Sequence, residues 1–183
     1  MKTVYAFLAE GLEEVEALMV IDLLRRTGKI DVVMISISDD LMVEGSHGIR
    51  IVADAVIDEI DLNMADGIFL PGGIPGTPNL AACKALTDTL VDYNEKGKLV
   101  SAICAAPSIL SNLGILKDKK ATSYPSFEEK MNCREYGGRV VRDGNVITGR
   151  GLGTALEEGL EIISYFLGEE EAKRISKSVC FVD

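Results

Sequence analysis

Short apolar segments alternate with helix-length segments along almost the whole chain, and this alternation constrains the fold more than any other feature. The strand-like segments are 2–9, 31–38, 67–73 and 98–104. The helix-like segments are 12–28, 79–97, 106–114 and 154–168. Strands that are apolar on both faces and are each followed by a helix predict a mainly parallel sheet covered by helices on both sides.

Two further segments predict local strand pairs. Residues 41–45 and 49–57 flank a short turn and predict a small hairpin, and residues 139–149 predict a strand pair around an Asp-Gly turn. A chain of 183 residues fills one core, and no polar or low-complexity stretch divides it. We therefore expect a single domain over residues 1–183.

The net charge limits the partners of the chain, and its apolar segments limit its location. The formal net charge is −10, and no basic cluster longer than a pair of residues offsets it, so nucleic acid is not an expected partner. The first residues lack the pattern of a signal peptide, and the apolar runs fall short of the roughly 20 residues of a membrane span. The expectation is a soluble, cytoplasmic protein with no membrane partner.

Cysteine and histidine usage limits the metal chemistry. The four cysteines are far apart in the sequence, without a C-x-x-C pair, and predict free thiols in a cytosolic chain. His47 is the single histidine, which excludes most zinc sites and constrains any Cys–His or Ser–His–Asp arrangement. No metal is expected.

Cys104 ends a strand and precedes a helix, as the nucleophile of a strand–turn–helix elbow does. The helix N-terminus should lower the pKa of its thiol, and Ala105 leaves the space above the sulfur open. Pro107 suits the first helical turn. The alternative is a small buried hydrophobic residue. That interpretation is kept for the other three cysteines, Cys83, Cys133 and Cys180.

The loop LPGGIPGT follows another strand and contains Gly72 and Gly73. Adjacent glycines at a strand end allow backbone N–H groups to point into a cavity, and with the N–H of Ala105 they could form an oxyanion hole facing the sulfur. A plain tight turn explains the glycine pair equally well.

Two acids of the first helix are candidates for a buried carboxyl. Glu16 and Glu14 each have apolar neighbours at helical spacing, so periodicity does not choose between them. Burial would raise the pKa of either carboxyl and keep it protonated at neutral pH. The alternative for both is a solvated first turn that the helix dipole favours.

Four ordered motifs resemble the ThiJ/PfpI superfamily, in the DJ-one-like branch of a Parkinson's-disease deglycase and chaperone. The motifs are FLAEGLEEVEALMVIDLLRRTG, ADGIFLPGGIPGTPNL, SAICAAPSIL and GRGLGTALEEGLEII. The resemblance covers nearly the whole chain and implies a flavodoxin-like three-layer α/β/α sandwich that forms a homodimer. It implies that Cys104 is the nucleophile and oxidation-sensitive residue, Glu16 its protonated partner, and Gly72, Gly73 and Ala105 the backbone around the sulfur.

The chain departs from that family at two positions. Tyr124 stands where the family's motif has a histidine before a proline, and His47 stands where an arginine follows a serine at the mouth of the pocket. Both are kept as candidate pocket residues. Peptidase members carry histidine directly after the cysteine, where this chain has Ala105, and amidotransferases need a downstream histidine that is absent here. Both activities are disfavoured.

Two functional classes follow from the resemblance. The first is a cofactor-free glyoxalase or deglycase that acts on a small carbonyl substrate such as methylglyoxal, or on glycated amines. The second is a non-catalytic oxidative-stress sensor or redox-regulated chaperone that uses the same cysteine. Residue identity does not separate them.

Overall fold

Strands and helices alternate along most of the chain in the computed structural model, which describes residues 1–181. The strands are β1 (Lys2–Leu8), β2 (Ile30–Ser36), β3 (Met42–Glu44), β4 (Arg50–Val52), β5 (Ala55–Val56), β6 (Gly67–Leu70), β7 (Leu99–Ile103), β8 (Lys120–Ala121), β9 (Glu135–Tyr136), β10 (Val140–Asp143) and β11 (Val146–Gly149). The α-helices are α1 (Glu14–Arg26), α2 (Gly76–Ala82), α3 (Lys84–Glu95), α4 (Pro107–Asn112), α5 (Ala155–Leu167) and α6 (Glu169–Ser178). Short 3-10 turns cover Ile57–Glu59, Pro125–Lys130 and Leu152–Thr154.

The central sheet has seven strands in the order β10-β11-β7-β6-β1-β2-β5. Every neighbouring pair is parallel except β10 and β11, which form the antiparallel pair expected around the Asp-Gly turn. The residues of β6, β7 and β11 are all buried, as strands covered on both faces must be. The predicted α/β fold with a mainly parallel sheet is confirmed.

Helices cover both faces of this sheet and give the fold its three layers. On one face, buried side chains of α1, α5 and α6 pack with β1 and β2, including Val20, Ile163 and Ile175. On the other face, buried side chains of α2, α3 and α4 pack against the same strands. Apolar burial on both faces is the main favourable term in the folding of such a sheet.

The order of the strands places a ligand site at one edge of the sheet. The chain runs from β1 to β2 on one side and later returns to β6 on the other side of β1, so the strand order reverses between β1 and β6. In open α/β sheets, ligands bind outside the carboxyl ends of the strands at such a point. The segments that follow β1, β6, β7 and β11 therefore meet at this edge.

The predicted helix over 79–97 is wrong in one respect, because the structure divides it. Helices α2 and α3 are separated by Cys83, whose backbone is extended with ψ of 100°. Leu80 and Leu86 are both fully buried in the same core. Residues six apart lie about 120° apart around a continuous helix, so the break at Cys83 brings both side chains more directly towards that core.

Two other differences concern short elements. The hairpin expected near residue 47 is present as β3 and β4, but Ala55 and Val56 leave it and pair with β2 in the central sheet. Helix α6 was not predicted, because its sequence EEEAKRISKS contributes only Ile175 and Ser176 to the interior. Among residues 1–181, no helix combines the length and the apolar character of a membrane span.

Candidate active site

Cys104 lies directly after β7 in a backbone conformation that side chains rarely adopt, with φ of +65°. Its N–H donates to the carbonyl of Gly149 at 2.9 Å, and its carbonyl accepts from the N–H of Tyr124 at 2.7 Å. A strained residue persists only where its surroundings fix it, and such residues cluster at functional sites. The geometry is that of a nucleophile elbow.

The sulfur of Cys104 is held by two backbone loops. N–H groups of Ala105 and Gly73 hydrogen-bond to it, so the elbow and the glycine loop meet at the sulfur. Helix α4 begins only at Pro107 and has six residues, so its dipole is weaker than the sequence suggested. The local N–H groups are the main source of positive potential at this position.

Gly72 makes the close approach of Cys104 and Glu16 possible. A Cβ atom at Gly72 would lie 2.7 Å from the Cβ of Cys104 and 2.7 Å from Oε2 of Glu16. Its N–H donates to Oε2 of Glu16 at 3.1 Å. Glycine is therefore required here for space and supplies a donor to the carboxyl.

Glu16 lies on α1, is 1% exposed and forms a hydrogen bond with the Cys104 side chain. Burial raises the pKa of its carboxyl to about 7, and the charge of Glu13 adds to the rise. Hydrogen bonds from Cys104 and from the backbone of Gly72 and Leu152 oppose the rise. A carboxyl with this pKa is close to half ionised at neutral pH, which suits a group that exchanges protons during a reaction.

The predicted lowering of the Cys104 pKa is wrong. Burial raises the pKa of the thiol to about 12, and the charge and hydrogen bond of Glu16 raise it further. The N–H groups of Ala105 and Gly73 act in the expected direction, but they do not outweigh the loss of water around the sulfur. The sequence could not show how deeply the sulfur is buried.

Cys104 and Glu16 consequently titrate as a pair. The first proton leaves the pair near pH 7 and the second only near pH 12. Between these limits one proton is shared by the sulfur and the carboxyl. When the thiol proton moves to Glu16, the carboxyl becomes neutral and the pair still carries a single negative charge. Glu16 can therefore activate the sulfur at the moment of attack without creating two adjacent anions.

Glu14 is as buried as Glu16, at 1% exposure, but it has different partners. The N–H of His47 donates to its Oε1 at 2.7 Å, and Nδ1 of His47 lies 2.9 Å from its Oε2. Burial favours a higher pKa, but hydrogen bonds from His47 and from the backbone of Ile49 prevail and lower the pKa of Glu14 to about 2. Glu14 is thus an ionised partner of His47.

His47 is placed by the structure in this acidic cluster. Its exposed ring contacts Glu14, Ser46 and, at 3.9 Å, Glu13. The hydrogen bond to Glu14 raises the pKa of the imidazole. Potential ligand atoms of Glu13, Glu14 and His47 lie within 4.8 Å of one another. Because His47 already occupies the carboxylate of Glu14, we interpret the cluster as a satisfied ion pair.

Tyr124 and Gly151 border the space above the sulfur. A Cβ atom at Gly151 would lie 4.0 Å from the Cys104 Sγ, 3.9 Å from Oε1 of Glu16 and 3.5 Å from Cδ2 of Tyr124. Three side chains therefore surround this point, and a glycine keeps it open. Tyr124 is 49% exposed and lies at the rim. Gly151 was missed from sequence, although it lies within the motif GRGLG.

A second buried carboxyl, also missed from sequence, lies beneath the elbow. Glu158 on α5 is fully buried and accepts a hydrogen bond from Ser101 Oγ at 2.7 Å, while its Oε2 has no hydrogen-bond partner among the described residues. It packs against Gly149, whose carbonyl receives the Cys104 N–H. Burial raises its pKa well above the usual value, and the charge of Glu16 adds to the rise.

Glu158→Gln should stabilise the protein increasingly as pH rises. A carboxyl whose pKa is raised on folding keeps its proton in the folded state. The wild type therefore loses stability as the pH rises above 4.5, the pKa of this carboxyl in the unfolded chain. Glutamine does not titrate and avoids this loss. Urea unfolding at pH 4 and pH 8 measures the difference, and an advantage that does not grow with pH would contradict a buried neutral Glu158.

Fold and site together define an α/β protein with a cysteine nucleophile elbow at the carboxyl edge of a parallel sheet. The chain belongs to the DJ-1/PfpI family, whose model matches residues 2–165. The family expected from the sequence motifs is confirmed.

Three comparisons describe the similarity to known proteins. The chain is 40% identical to protein DJ-1 homolog A of Arabidopsis thaliana. The matched region covers 96% of this chain but only 45% of the length of that relative. It is 33% identical to glutathione-independent glyoxalase DJR-1.2 of Caenorhabditis elegans, covering 93% of this chain and 91% of the relative. The structure of oxidised DJ-1 from Toxoplasma gondii matches with a TM-score of 0.94 and 35% identity, covering 98% of each chain.

Proposed function

We propose that this protein is a cysteine-dependent, cofactor-free enzyme of the glyoxalase or deglycase type, with methylglyoxal-like dicarbonyls or glycated amines as substrates. The observation that carries the proposal is the hydrogen-bonded pair of Cys104 and Glu16, which shares one proton near neutral pH. The similarity to a relative named a glutathione-independent glyoxalase supports it.

The first step forms a bond between sulfur and carbon. As the Cys104 sulfur attacks the aldehyde carbon of methylglyoxal, its proton passes to the Glu16 carboxylate and the carbonyl electron pair moves onto oxygen. The N–H groups of Gly73 and Ala105, which hydrogen-bond to the sulfur, would stabilise the oxyanion as it forms beside the sulfur. Glu16 then returns the proton to this oxygen and completes a hemithioacetal.

The second step moves a proton between adjacent carbons. Glu16 removes the proton from the former aldehyde carbon, which gives an enediol, and delivers it to the former ketone carbon. The hydroxyl proton of the hemithioacetal passes to the former ketone oxygen, and the product is a lactoyl thioester. Water cleaves the thioester and restores the thiol. The aldehyde carbon is oxidised while the ketone carbon is reduced, so no external oxidant is needed. With a glycated amine, the sulfur displaces the amine, which leaves with the proton.

A lactate assay tests this proposal directly. Purified protein and methylglyoxal, without glutathione or added metal, should yield lactate at a rate proportional to protein concentration. Tyr124, at the rim of the site, would orient the substrate through its hydroxyl, and Tyr124→Phe should weaken turnover only modestly. The absence of lactate from well-folded protein would reject the glyoxalase proposal.

A redox role is the second candidate. The backbone donors of Gly73 and Ala105, together with a protonated Glu16, would also stabilise a sulfinate at Cys104. If wild type and Cys104→Ser are equally inert towards dicarbonyls, while peroxide oxidises Cys104 before the other cysteines, the sensor or chaperone explanation is favoured.

A cytoplasmic location is proposed with either function, since all four cysteines are free thiols.

We also propose a homodimer, in which exposed apolar side chains of α1 and the β3–β4 hairpin form the contact. These side chains are Val15, Leu18, Met42, Ile49 and Val52. Light scattering at micromolar concentration should give about twice the chain mass of 19.7 kDa. Leu18→Glu should give the monomer mass, whereas Met64→Glu, at an exposed position outside this group, should not. A monomeric wild type would contradict the proposal.

A further inference from the structure

Tyr124 places an aromatic ring beside the reactive sulfur. A Cβ atom at Gly151 would lie 4.0 Å from the Cys104 Sγ and 3.5 Å from Cδ2 of Tyr124. The edge of the tyrosine ring is therefore separated from the sulfur by no more than the sum of these two distances. Oε1 of Glu16 lies 3.9 Å from the same Cβ position. Cys104 is partly exposed and Tyr124 is 49% exposed, so the space between them borders the protein surface.

The backbone of Tyr124 is fixed relative to the elbow. Its N–H donates to the carbonyl of Cys104 at 2.7 Å, and its own carbonyl accepts from the N–H of Phe127 at 2.9 Å. A residue before a proline is restricted to extended conformations, and Tyr124, which precedes Pro125, has φ of −58° and ψ of 137°. A group that is held in place before its ligand arrives loses little conformational entropy on binding.

The ring of Tyr124 is not paired within the protein. In residues 1–181 it takes part in neither an aromatic pair nor a cation–π contact. Aromatic rings favour offset or edge-to-face contact with another aromatic ring. The Tyr124 ring is therefore suited to contact a flat aromatic group on a substrate that reacts at the sulfur.

An aryl dicarbonyl has its atoms in the arrangement that this geometry requires. In phenylglyoxal the phenyl ring is attached to the ketone carbon, and the adjacent aldehyde carbon would bond to the sulfur. The phenyl ring would thus be held only a few bonds from the sulfur, towards the gap that Tyr124 borders. The methyl group of methylglyoxal occupies the same position but offers little surface to the tyrosine ring.

We propose that Tyr124 is a specificity-determining residue whose ring favours 2-oxoaldehydes with an aryl group, such as phenylglyoxal, over methylglyoxal. The inference rests on the proposed function, because the aldehyde reacts at Cys104. The reaction follows the same course: the aldehyde carbon is oxidised, the ketone carbon is reduced, one water is consumed and the product is mandelate. The ring of Tyr124 carries this selectivity, and its hydroxyl does not.

The selectivity is measured as the ratio of kcat/KM for phenylglyoxal to kcat/KM for methylglyoxal, which does not depend on the fraction of active protein. Tyr124→Leu should lower this ratio about fivefold, as the loss of one aromatic contact would. Tyr124→Phe keeps the ring and should leave the ratio within about twofold of wild type. Cyclohexylglyoxal carries a ring of similar size that is not aromatic, and its ratio to methylglyoxal should change less than about twofold in Tyr124→Leu.

Tyr165→Leu is a control at the opposite edge of the sheet. The Tyr165 hydroxyl donates to the carbonyl of Gly97 at 3.5 Å, before the amino end of β7, whereas Cys104 follows the carboxyl end of that strand. This variant should leave the ratio unchanged. If Tyr124→Leu also leaves the ratio unchanged while methylglyoxal is turned over, the specificity proposal fails and the proposed function stands.

A second measurement covers the case in which wild type turns over no dicarbonyl. 2-Bromoacetophenone and bromoacetone carry the same aryl and methyl groups, and the sulfur of Cys104 would displace bromide from either reagent to form a carbon–sulfur bond. Mass spectrometry gives the rate at which each reagent alkylates Cys104. A ratio of aryl to methyl rates that falls in Tyr124→Leu and persists in Tyr124→Phe would support the aromatic contact. An unchanged ratio, or no alkylation of Cys104, would overturn it.

Discussion

Cys104→Ser should lower the conversion of methylglyoxal to lactate by at least about a thousandfold, as the loss of a covalent nucleophile does in other enzymes. Serine preserves the size of the side chain and a donor for Glu16. Its hydroxyl is a far weaker nucleophile than the thiol, and an ester would replace the thioester. The loss should appear in kcat, measured as lactate formed without glutathione.

Matched controls exist within the same chain. Cys83 and Cys133 are partly buried free thiols. Cys83→Ser and Cys133→Ser should leave turnover within about twofold of wild type, because neither residue lies in the active site. His47→Ala should weaken turnover only modestly, because His47 contacts Glu14 and the proposed proton transfer uses Glu16. Turnover by Cys104→Ser above a tenth of the wild-type rate would place the chemistry elsewhere.

The alternation of apolar strands and helices was enough to predict the sheet and its two covering layers, because a parallel sheet must be apolar on both faces. The local sequence pattern did not predict the elements whose ends depend on tertiary packing. The chain breaks at Cys83 so that Leu80 and Leu86 can share one core, and nothing in residues 79–97 reveals that shared core. Helix α6 has too few buried side chains to be recognised.

The positions of Cys104 and the glycine loop at one sheet edge could be predicted, since both follow apolar strands. Helical periodicity could not separate Glu14 from Glu16, and only the family resemblance pointed to Glu16. Both carboxyls are 1% exposed on one helix turn, and the hairpin that carries His47 supplies hydrogen bonds to Glu14 alone. The direction of the Cys104 pKa shift could not be predicted either, because it depends on how deeply the sulfur is buried. Glu158 was missed because it reaches the site from a distant part of the sequence.

Glu16→Gln should reduce turnover almost as severely as the loss of the sulfur, because glutamine can donate a hydrogen bond to Cys104 but cannot take its proton. For wild type, kcat/KM should rise with pH through about 7, where the pair loses its first proton. This rise should be absent from any residual activity of Glu16→Gln. A wild-type rate independent of pH between 5 and 9 would contradict proton transfer by the pair.

The same substitution should increase stability. The pKa of Glu16 is 4.5 when unfolded and about 7 when folded, so the folded state retains a proton that the unfolded chain releases. The wild type therefore loses stability as pH rises from 4.5 to 7, by about 3 kcal/mol in total. Glutamine avoids this loss, and urea unfolding should show Glu16→Gln to be more stable at pH 8 and about equal to wild type at pH 4.

Glu14→Gln provides a control of opposite sign, two residues away on the same helix. The pKa of Glu14 is lowered from 4.5 to about 2, so its ionised form stabilises the fold above pH 4.5, and this stability is lost as pH falls towards 2. Glutamine at this position should therefore destabilise the protein at pH 8 and have little effect at pH 2. If both variants shift stability in the same direction at pH 8, the assignment of one proton-sharing and one permanently ionised carboxyl is wrong. Opposite shifts, with turnover collapsing only in Glu16→Gln, would mean that the chain retains a destabilising buried carboxyl because the reaction at Cys104 requires its proton exchange.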